Sequence, residues 1–282
     1  MASVQAQLRK YKIRPKKWLG QNFLLDENVL EQITILCDLK RDEVVVEIGA
    51  GLGALTTRLA PRVSKVLAIE LDKTLASLLK NEIIKDGNVK VVNQDILKLN
   101  FPEVAELYGG KLKVVGNIPY SISAPLVFKL IDCRAFLSVG VLMFQKEVAD
   151  RIVANPGTKN YGILSVFSQV SAVVSKELVV PREYFYPEPR VDSAVVKFLF
   201  SETPLVEIKN EKIFKSVVKA SFAQRRKTLR NALKNSASLN IPFSDILSGV
   251  KACGIDPQRR GETLGLEEFR ELSNCLAEWQ SS

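Results

Sequence analysis

Residues 43–54, EVVVEIGAGLGA, decide how this chain folds. A run of apolar, mostly β-branched residues from Val44 to Ile48 ends in glycines at alternate positions, Gly49, Gly51 and Gly53, and a helical pattern follows. That order predicts a strand, a tight turn and a helix start. Glycines let the backbone turn sharply and approach a ligand, which then meets the helix N-terminus. Outward from this stretch the pattern repeats: KVLAIE at 65–70, VKVVNQD at 89–95, LKVVGN at 112–117 and FLSVGVLMF at 136–144 are short apolar strands, with helical stretches starting at Lys73 and Ser123. Such alternation predicts an α/β fold with a mostly parallel sheet covered on both faces. Strands near Leu178–Val180 and Ala194–Phe200 lack a full helix between them and are expected to close one sheet edge as a hairpin. Beyond residue 201 the strands stop, and residues 210–279 read as helical. The expected division is an α/β domain over 1–201, whose first 20 residues form a solvated basic arm, and a small helical domain over 202–282.

Composition excludes several chemistries. The 282 residues include no histidine, so there is no imidazole for a Ser-His-Asp or Cys-His nucleophile, a general base or a metal ligand. Cys37, Cys133, Cys253 and Cys275 are far apart and form no C-x-x-C, so no metal site or disulfide scaffold is expected and a reducing cytoplasm fits. The longest uncharged run, 160–175, is shorter than the roughly 20 residues of a membrane span, so no membrane partner is expected. The net charge of +9 is unevenly placed. Residues 1–20 carry six basic residues and no acid, 215–234 carry seven and no acid, and the remainder holds 27 basic against 31 acidic residues. Two local patches on a slightly acidic body are the footprint of a surface that meets phosphate.

Three positions at the expected carboxyl edge of the sheet carry chemistry. Glu70 ends the second strand 21 residues after Gly49, where a carboxylate can accept both hydroxyls of a ribose. The glycine string alone also fits a dinucleotide fingerprint, G-x-G-x-x-A. Asp95 ends the third strand, where it either holds the exocyclic amine of an adenine or caps the next helix. The most specific signal is Asn117-Ile118-Pro119-Tyr120 at the end of the fourth strand. An exocyclic amine on adenine is a poor nucleophile because its lone pair is delocalised into the ring. Accepting its two N–H hydrogens on the Asn117 amide oxygen and the Ile118 carbonyl favours a pyramidal nitrogen that can attack a methyl group. Pro119 fixes the backbone so that the preceding carbonyl points into the site, and Tyr120 offers a face on which a base stacks.

These motifs, together with GQNFL at 20–24, MFQKEVADRI at 143–152, FYPEPRVDSAVV at 185–196 and FAQRRKTLRNAL at 222–233, occur in an order that resembles the rRNA adenine N6,N6-dimethyltransferases of the KsgA type. The resemblance implies a Rossmann-like S-adenosylmethionine-dependent methyltransferase sheet with a helical C-terminal domain. It implies a cytoplasmic monomer that dimethylates two adjacent adenines in the 3′ hairpin of small-subunit rRNA within immature ribosomal particles. By motif, Asn22, Leu24, Gly49, Gly51, Glu70, Asp95 and Asn117 would hold S-adenosylmethionine. Asn117 and Pro119 would align the target amine, and Tyr120 and Phe185 would clamp the base from two sides. Asn22 stands where the family often has histidine. Arg225, Arg226, Lys227 and Arg230 would contact RNA. A continuous helix over 212–234 would line its cations into a stripe, whereas the family implies that QRRK turns between two helices. Competing readings are a non-catalytic RNA-binding assembly factor of the same fold, the resistance methyltransferases of large-subunit rRNA, and an NAD-linked dehydrogenase. The last explains neither NIPY nor the acid-free windows.

Overall fold

The computed structural model describes residues 4–85, 87–234, 239 and 241–281, without the side chains of residues 279–281. In chain order its first part runs α1 (Val4–Lys10), β1 (Phe23–Leu24), α2 (Glu27–Leu36), β2 (Val44–Ile48), α3 (Thr56–Leu59), β3 (Lys65–Glu70), α4 (Lys73–Leu78), β4 (Val89–Asn93), α5 (Phe101–Tyr108), β5 (Leu112–Asn117), α6 (Ser123–Asp132), β6 (Leu137–Gln145) and α7 (Lys146–Ile152). There follow α8 (Ile163–Ser171), β7 (Ala172–Val180), β8 (Phe185–Tyr186), β9 (Ser193–Phe200), α9 (Glu211–Ala223), α10 (Leu229–Lys234), α11 (Phe243–Ala252) and α12 (Leu266–Ser281). The chain forms two compact units, Met1–Ala149 with Val173–Glu202, and Asp150–Ala172 with Thr203–Ser282. Among the described residues no helix is long and apolar enough to cross a membrane.

The first unit is built on a seven-stranded sheet in the order β4-β3-β2-β5-β6-β9-β7. Strands β4, β3, β2, β5 and β6 are parallel, and β9 runs antiparallel to β6. The central strands are mostly apolar, as a sheet covered on both faces requires: Val44 to Ile48 are all buried, Glu47 included. The order reverses between β2 and β5, and that is where the glycine loop and Asn117 lie side by side. Gly116 permits the close approach, since a Cβ there would stand 2.4 Å from the Ile48 carbonyl oxygen. Strands β7 and β9 are neighbours at the sheet edge, as the sequence suggests. A second, two-residue ladder was not legible: β1 pairs antiparallel with β8, setting Leu24 opposite Phe185 and Phe23 opposite Tyr186.

Two expectations are corrected. The basic arm keeps Arg9, Lys10, Lys12, Arg14 and Lys17 exposed, but it is also packed onto the first unit through its apolar residues. Helix α1 buries Leu8 in a cluster with Leu52, Leu75 and Leu78, against which Val4, Tyr11 and Ile13 also pack. Burying one leucine stabilises by about 2 kcal/mol, enough to dock a seven-residue helix that could not persist alone. Residues 150–172, expected in the first domain, belong to the second unit. Their aromatic rings explain it, with Tyr161 edge-on to Phe222 at 5.8 Å and Phe167 against Phe214 at 6.3 Å. The Leu205 amide also donates to the Val170 carbonyl at 2.8 Å.

In the second unit Asn210 caps α9 by accepting from the amides of Lys212 and Ile213, a contribution of about 1 kcal/mol. Helix α9 stops at Ala223 and α10 begins at Leu229, so QRRK is a turn between two helices and the continuous stripe is not formed.

Candidate active site

At the carboxyl edge of the first unit's sheet lies a cavity of about 340 Å³, within the range of small-molecule sites. Asn22, Leu24, Gly49, Gly51, Glu70, Asp95, Asn117 and Pro119 line it together, drawn from the segment before α2 and from the ends of β2, β3, β4 and β5. Gly49 and Gly51 have φ of 72° and 57°, a left-handed backbone that disfavours side chains. The turn is held from below: the Gly51 amide donates to Glu70 Oε2 and the Asp72 amide to Glu70 Oε1, each at 2.8 Å. Burial pushes the Glu70 carboxyl up, against the lowering effect of those two amides. Each Glu70 oxygen keeps a lone pair for a ligand hydroxyl.

Asp95 caps the next turn and also lies in the cavity lining. One oxygen accepts from the Leu97 amide at 2.9 Å. Sequence reasoning missed Glu47, which also lines it. Burial raises the Glu47 carboxyl to about 8, Thr56 Oγ1 donates to it at 2.6 Å, and nearby Glu70 adds to the rise. Its place inside the strand, two residues before Gly49, was the available signal. The donors and acceptors fit the cofactor the resemblance implies: a glycine cradle for the backbone of the ligand, carboxylates for a ribose and an adenine amine, apolar Leu52 and Ile96, and acidic side chains suited to a cationic sulfonium.

Asn117 is fixed by its partner. Its Nδ2 donates to the Asn22 carbonyl oxygen at 2.8 Å. Because the partner is a carbonyl, the amide cannot be turned around, and Oδ1 is the end left for an incoming donor. Asn22 therefore acts through its backbone, while its own Nδ2 donates to the Gly20 carbonyl at 3.2 Å. The next amide, that of Ile118, donates to the Met143 carbonyl at 2.9 Å, and Pro119 holds φ at −56°. Tyr120 is half-buried, and its hydroxyl is hydrogen-bonded to the buried Ser193 at the start of β9. Burial raises its phenol further from ionisation.

Neither Tyr120 nor Phe185, the pair the resemblance sets on the two faces of the base, is among the residues that line the cavity. Phe185 is 4% exposed and sits in the core cluster with Leu24, Met143, Val180 and Val195. Pairing of β8 with β1 delivers it there.

The segment before α2 is tied to the site by a residue that sequence reasoning passed over. Asp72 caps α4 by accepting from the Thr74 amide at 3.0 Å, and it also accepts from Lys16 Nζ and Gln21 Nε2, both at 2.9 Å. Burial acts to raise the Asp72 carboxyl, but the donors from Lys16, Gln21 and Thr74 together hold it below the usual carboxylate range.

In the second unit Arg226, Lys227 and Arg230 are exposed, on the turn and the start of α10. Arg225 is engaged: its guanidinium pairs with Glu262 at 3.0 Å and donates to the carbonyls of Lys159 at 2.7 Å and Tyr161 at 3.3 Å. It is exposed like its neighbours but braces the turn through these contacts.

The chain is similar to known proteins over most of its length. The family described as Ribosomal RNA adenine dimethylase matches residues 13–264. The ribosomal RNA small subunit methyltransferase A of Geobacter metallireducens is 44% identical over 265 residues, covering 94% of this chain and 96% of its own. Among solved structures, a dimethyladenosine transferase from Plasmodium falciparum superposes with a TM-score of 0.79 at 31% identity, covering 92% of this chain and 98% of its own. The 23S rRNA methyltransferase ErmE gives 0.70 at 25% identity, covering 90% and 99%. On the extent of these matches, the chain belongs to the ribosomal RNA adenine dimethylase family.

Proposed function

We propose that the protein is an S-adenosylmethionine-dependent methyltransferase that dimethylates N6 of two adjacent adenines in the 3′ hairpin of small-subunit rRNA. It does so as a monomer, in the cytoplasm, on immature ribosomal particles. The observation that carries this reading is the Asn117 amide, locked by the Asn22 carbonyl at 2.8 Å so that its oxygen is the free acceptor at the cavity wall.

When bound, S-adenosylmethionine supplies an electrophilic methyl group. Gly49 and Gly51 would cradle it, Glu70 would hold its ribose and Asp95 its adenine. The chain's remaining work is to make a weak nucleophile competent. Asn117 Oδ1 and the Ile118 carbonyl accept the two amine hydrogens, which draws the N6 lone pair out of conjugation, and Tyr120, braced through Ser193, supports the ring. Positioning of this kind supplies the rate without a general base. The methylated nitrogen is acidic enough to release its proton to water, in keeping with a chain that lacks histidine. Arg226, Lys227 and Arg230 supply sequence-independent attraction to phosphate.

Mass spectrometry of small-subunit rRNA, incubated as immature particles with the protein and S-adenosylmethionine, tests the reading. Dimethyladenine in the 3′ hairpin is expected, and Asn117→Ala should lower the rate by about 100-fold or more while calorimetry shows S-adenosylhomocysteine still bound. Methyl groups elsewhere, or an active Asn117→Ala variant, would overturn it.

A further inference from the structure

Tryptophan is the side chain a folding chain can least afford to leave in water, yet Trp18 is 78% exposed, more than any other large hydrophobic side chain described. It stands at the cavity that Asn117, Pro119 and Ser121 also line. Its backbone, by contrast, is firmly held. Residues Lys17–Leu19 form a 3-10 turn that Gly20 closes in the left-handed region at φ 65°. Gly20 packs on Pro119, where a Cβ would lie 3.4 Å from the proline ring carbon. On either side of the turn, the Lys16 amide donates to Gln21 Oε1 at 2.8 Å, and Lys16 and Gln21 both reach the buried Asp72. The indole is therefore a free ring on a fixed mount, beside the loop that aligns the target amine.

Its neighbours suit one kind of occupant. Lys12, Arg14 and Lys17 are exposed in the same acid-free segment, and an exposed aromatic interleaved with cations is the arrangement that binds unpaired nucleic acid. Phe23, the other aromatic side chain in the cavity lining, is already packed against Gly51. Phe185 is 4% exposed and packed in a core cluster.

We infer that Trp18 is a stacking platform for an unpaired RNA base at the cavity mouth, and that it sets how strongly the substrate strand is held beside Asn117. This deepens the rRNA reading above and rests on it. Stacking a base on an aromatic ring is worth about a 5- to 150-fold change in binding, and the effect falls on substrate affinity and not on chemistry.

The test compares Trp18→Ala and Trp18→Phe with the wild type. Trp18→Ala should raise KM for the rRNA particle by about tenfold or more with kcat within about threefold, and Trp18→Phe should restore most of it. The chain has two tryptophans, so in a Trp279→Phe background Trp18 alone reports by fluorescence. An adenine-containing single-stranded oligoribonucleotide should quench it without cofactor, and S-adenosylhomocysteine alone should not. An unchanged KM in Trp18→Ala overturns the inference. So does quenching by S-adenosylhomocysteine with a weakened Kd for it in the variant, which makes the indole a cover for the cofactor. If the wild type methylates no rRNA, the functional reading fails. If it methylates and Trp18→Ala matches it, only this inference fails.

Discussion

The two acid-free basic windows look alike in sequence and differ in structure. In each, a cation pairs with an acid from outside the window. Lys16 pairs with Asp72, whose side chain is 2% exposed, whereas Arg225 pairs with Glu262 at a site where both side chains keep contact with water, at 48% and 24%. The first contact fastens the chain before α2 to the cofactor edge, and the second shapes a turn whose remaining cations face solvent. Counting charges in a window therefore overstates what is available to phosphate. At the cofactor edge, charges are buried, coupled and sensitive to their surroundings; at the turn they are displayed and nearly independent.

That contrast can be attacked from both ends. The largest expected effect is on Glu47, whose carboxyl burial raises to about 8 from an ordinary value of 4.5. Between those values the folded protein binds a proton that the unfolded chain has released, so stability falls as pH rises from about 4.5 to about 8. Urea unfolding without ligand should show a loss of a few kcal/mol across that window, at about 1.4 kcal/mol per pH unit at most, and Glu47→Gln should flatten it. A wild type with a level profile would mean that the edge is not the coupled region described. Next, Asp72→Ala removes the acceptor for Lys16, Gln21 and the Thr74 amide and should cost about 2 kcal/mol. Limited proteolysis should then cut within residues 10–20, where the wild type should resist. The smallest effects belong to the turn. Replacing Arg226, Lys227 and Arg230 with alanine should leave the unfolding midpoint in place and make the salt dependence of RNA binding shallower by about 2 in slope. Arg225→Ala should do the reverse, losing about 1 kcal/mol of stability with little change in slope. If Arg225→Ala alters the slope as much as Arg226→Ala does, the distinction between paired and displayed cations is lost.

Much of the sheet was written locally. The strands at 65–70 and 112–117 begin and end where the apolar runs predict, because period and flanking glycines are properties of a short stretch. The cofactor-edge residues were legible for a related reason: Gly49, Glu70, Asp95 and Asn117 each end or follow a strand, and parallel strands deliver their ends to one edge. What sequence did not disclose was choice of partner. The β1–β8 pair joins two residues to two others some 160 positions away, with no pattern long enough to announce it. That ladder is what carries Phe185 into the core. Residues 150–172 read as part of the α/β domain because nothing local says that Tyr161 and Phe167 find their rings in α9. Arg225 and Arg226 are adjacent and chemically identical, and only the fold separates them.

The reversal of strand order between β2 and β5 has a consequence for how such a protein could change its target. On one side of the seam, β2, β3 and β4 come from residues 44–93 and present the glycine loop, Glu70 and Asp95. On the other, β5, β6 and β9 come from residues 112–200 and present Asn117, Tyr120 and Ser193. On the proposed function, methyl donor and acceptor would be handled by two stretches of chain that meet along one line, with Asn117 on the seam. On that reading, substitutions in the second stretch outside the cavity lining would retarget the methyl group while leaving the first stretch's ligand in place.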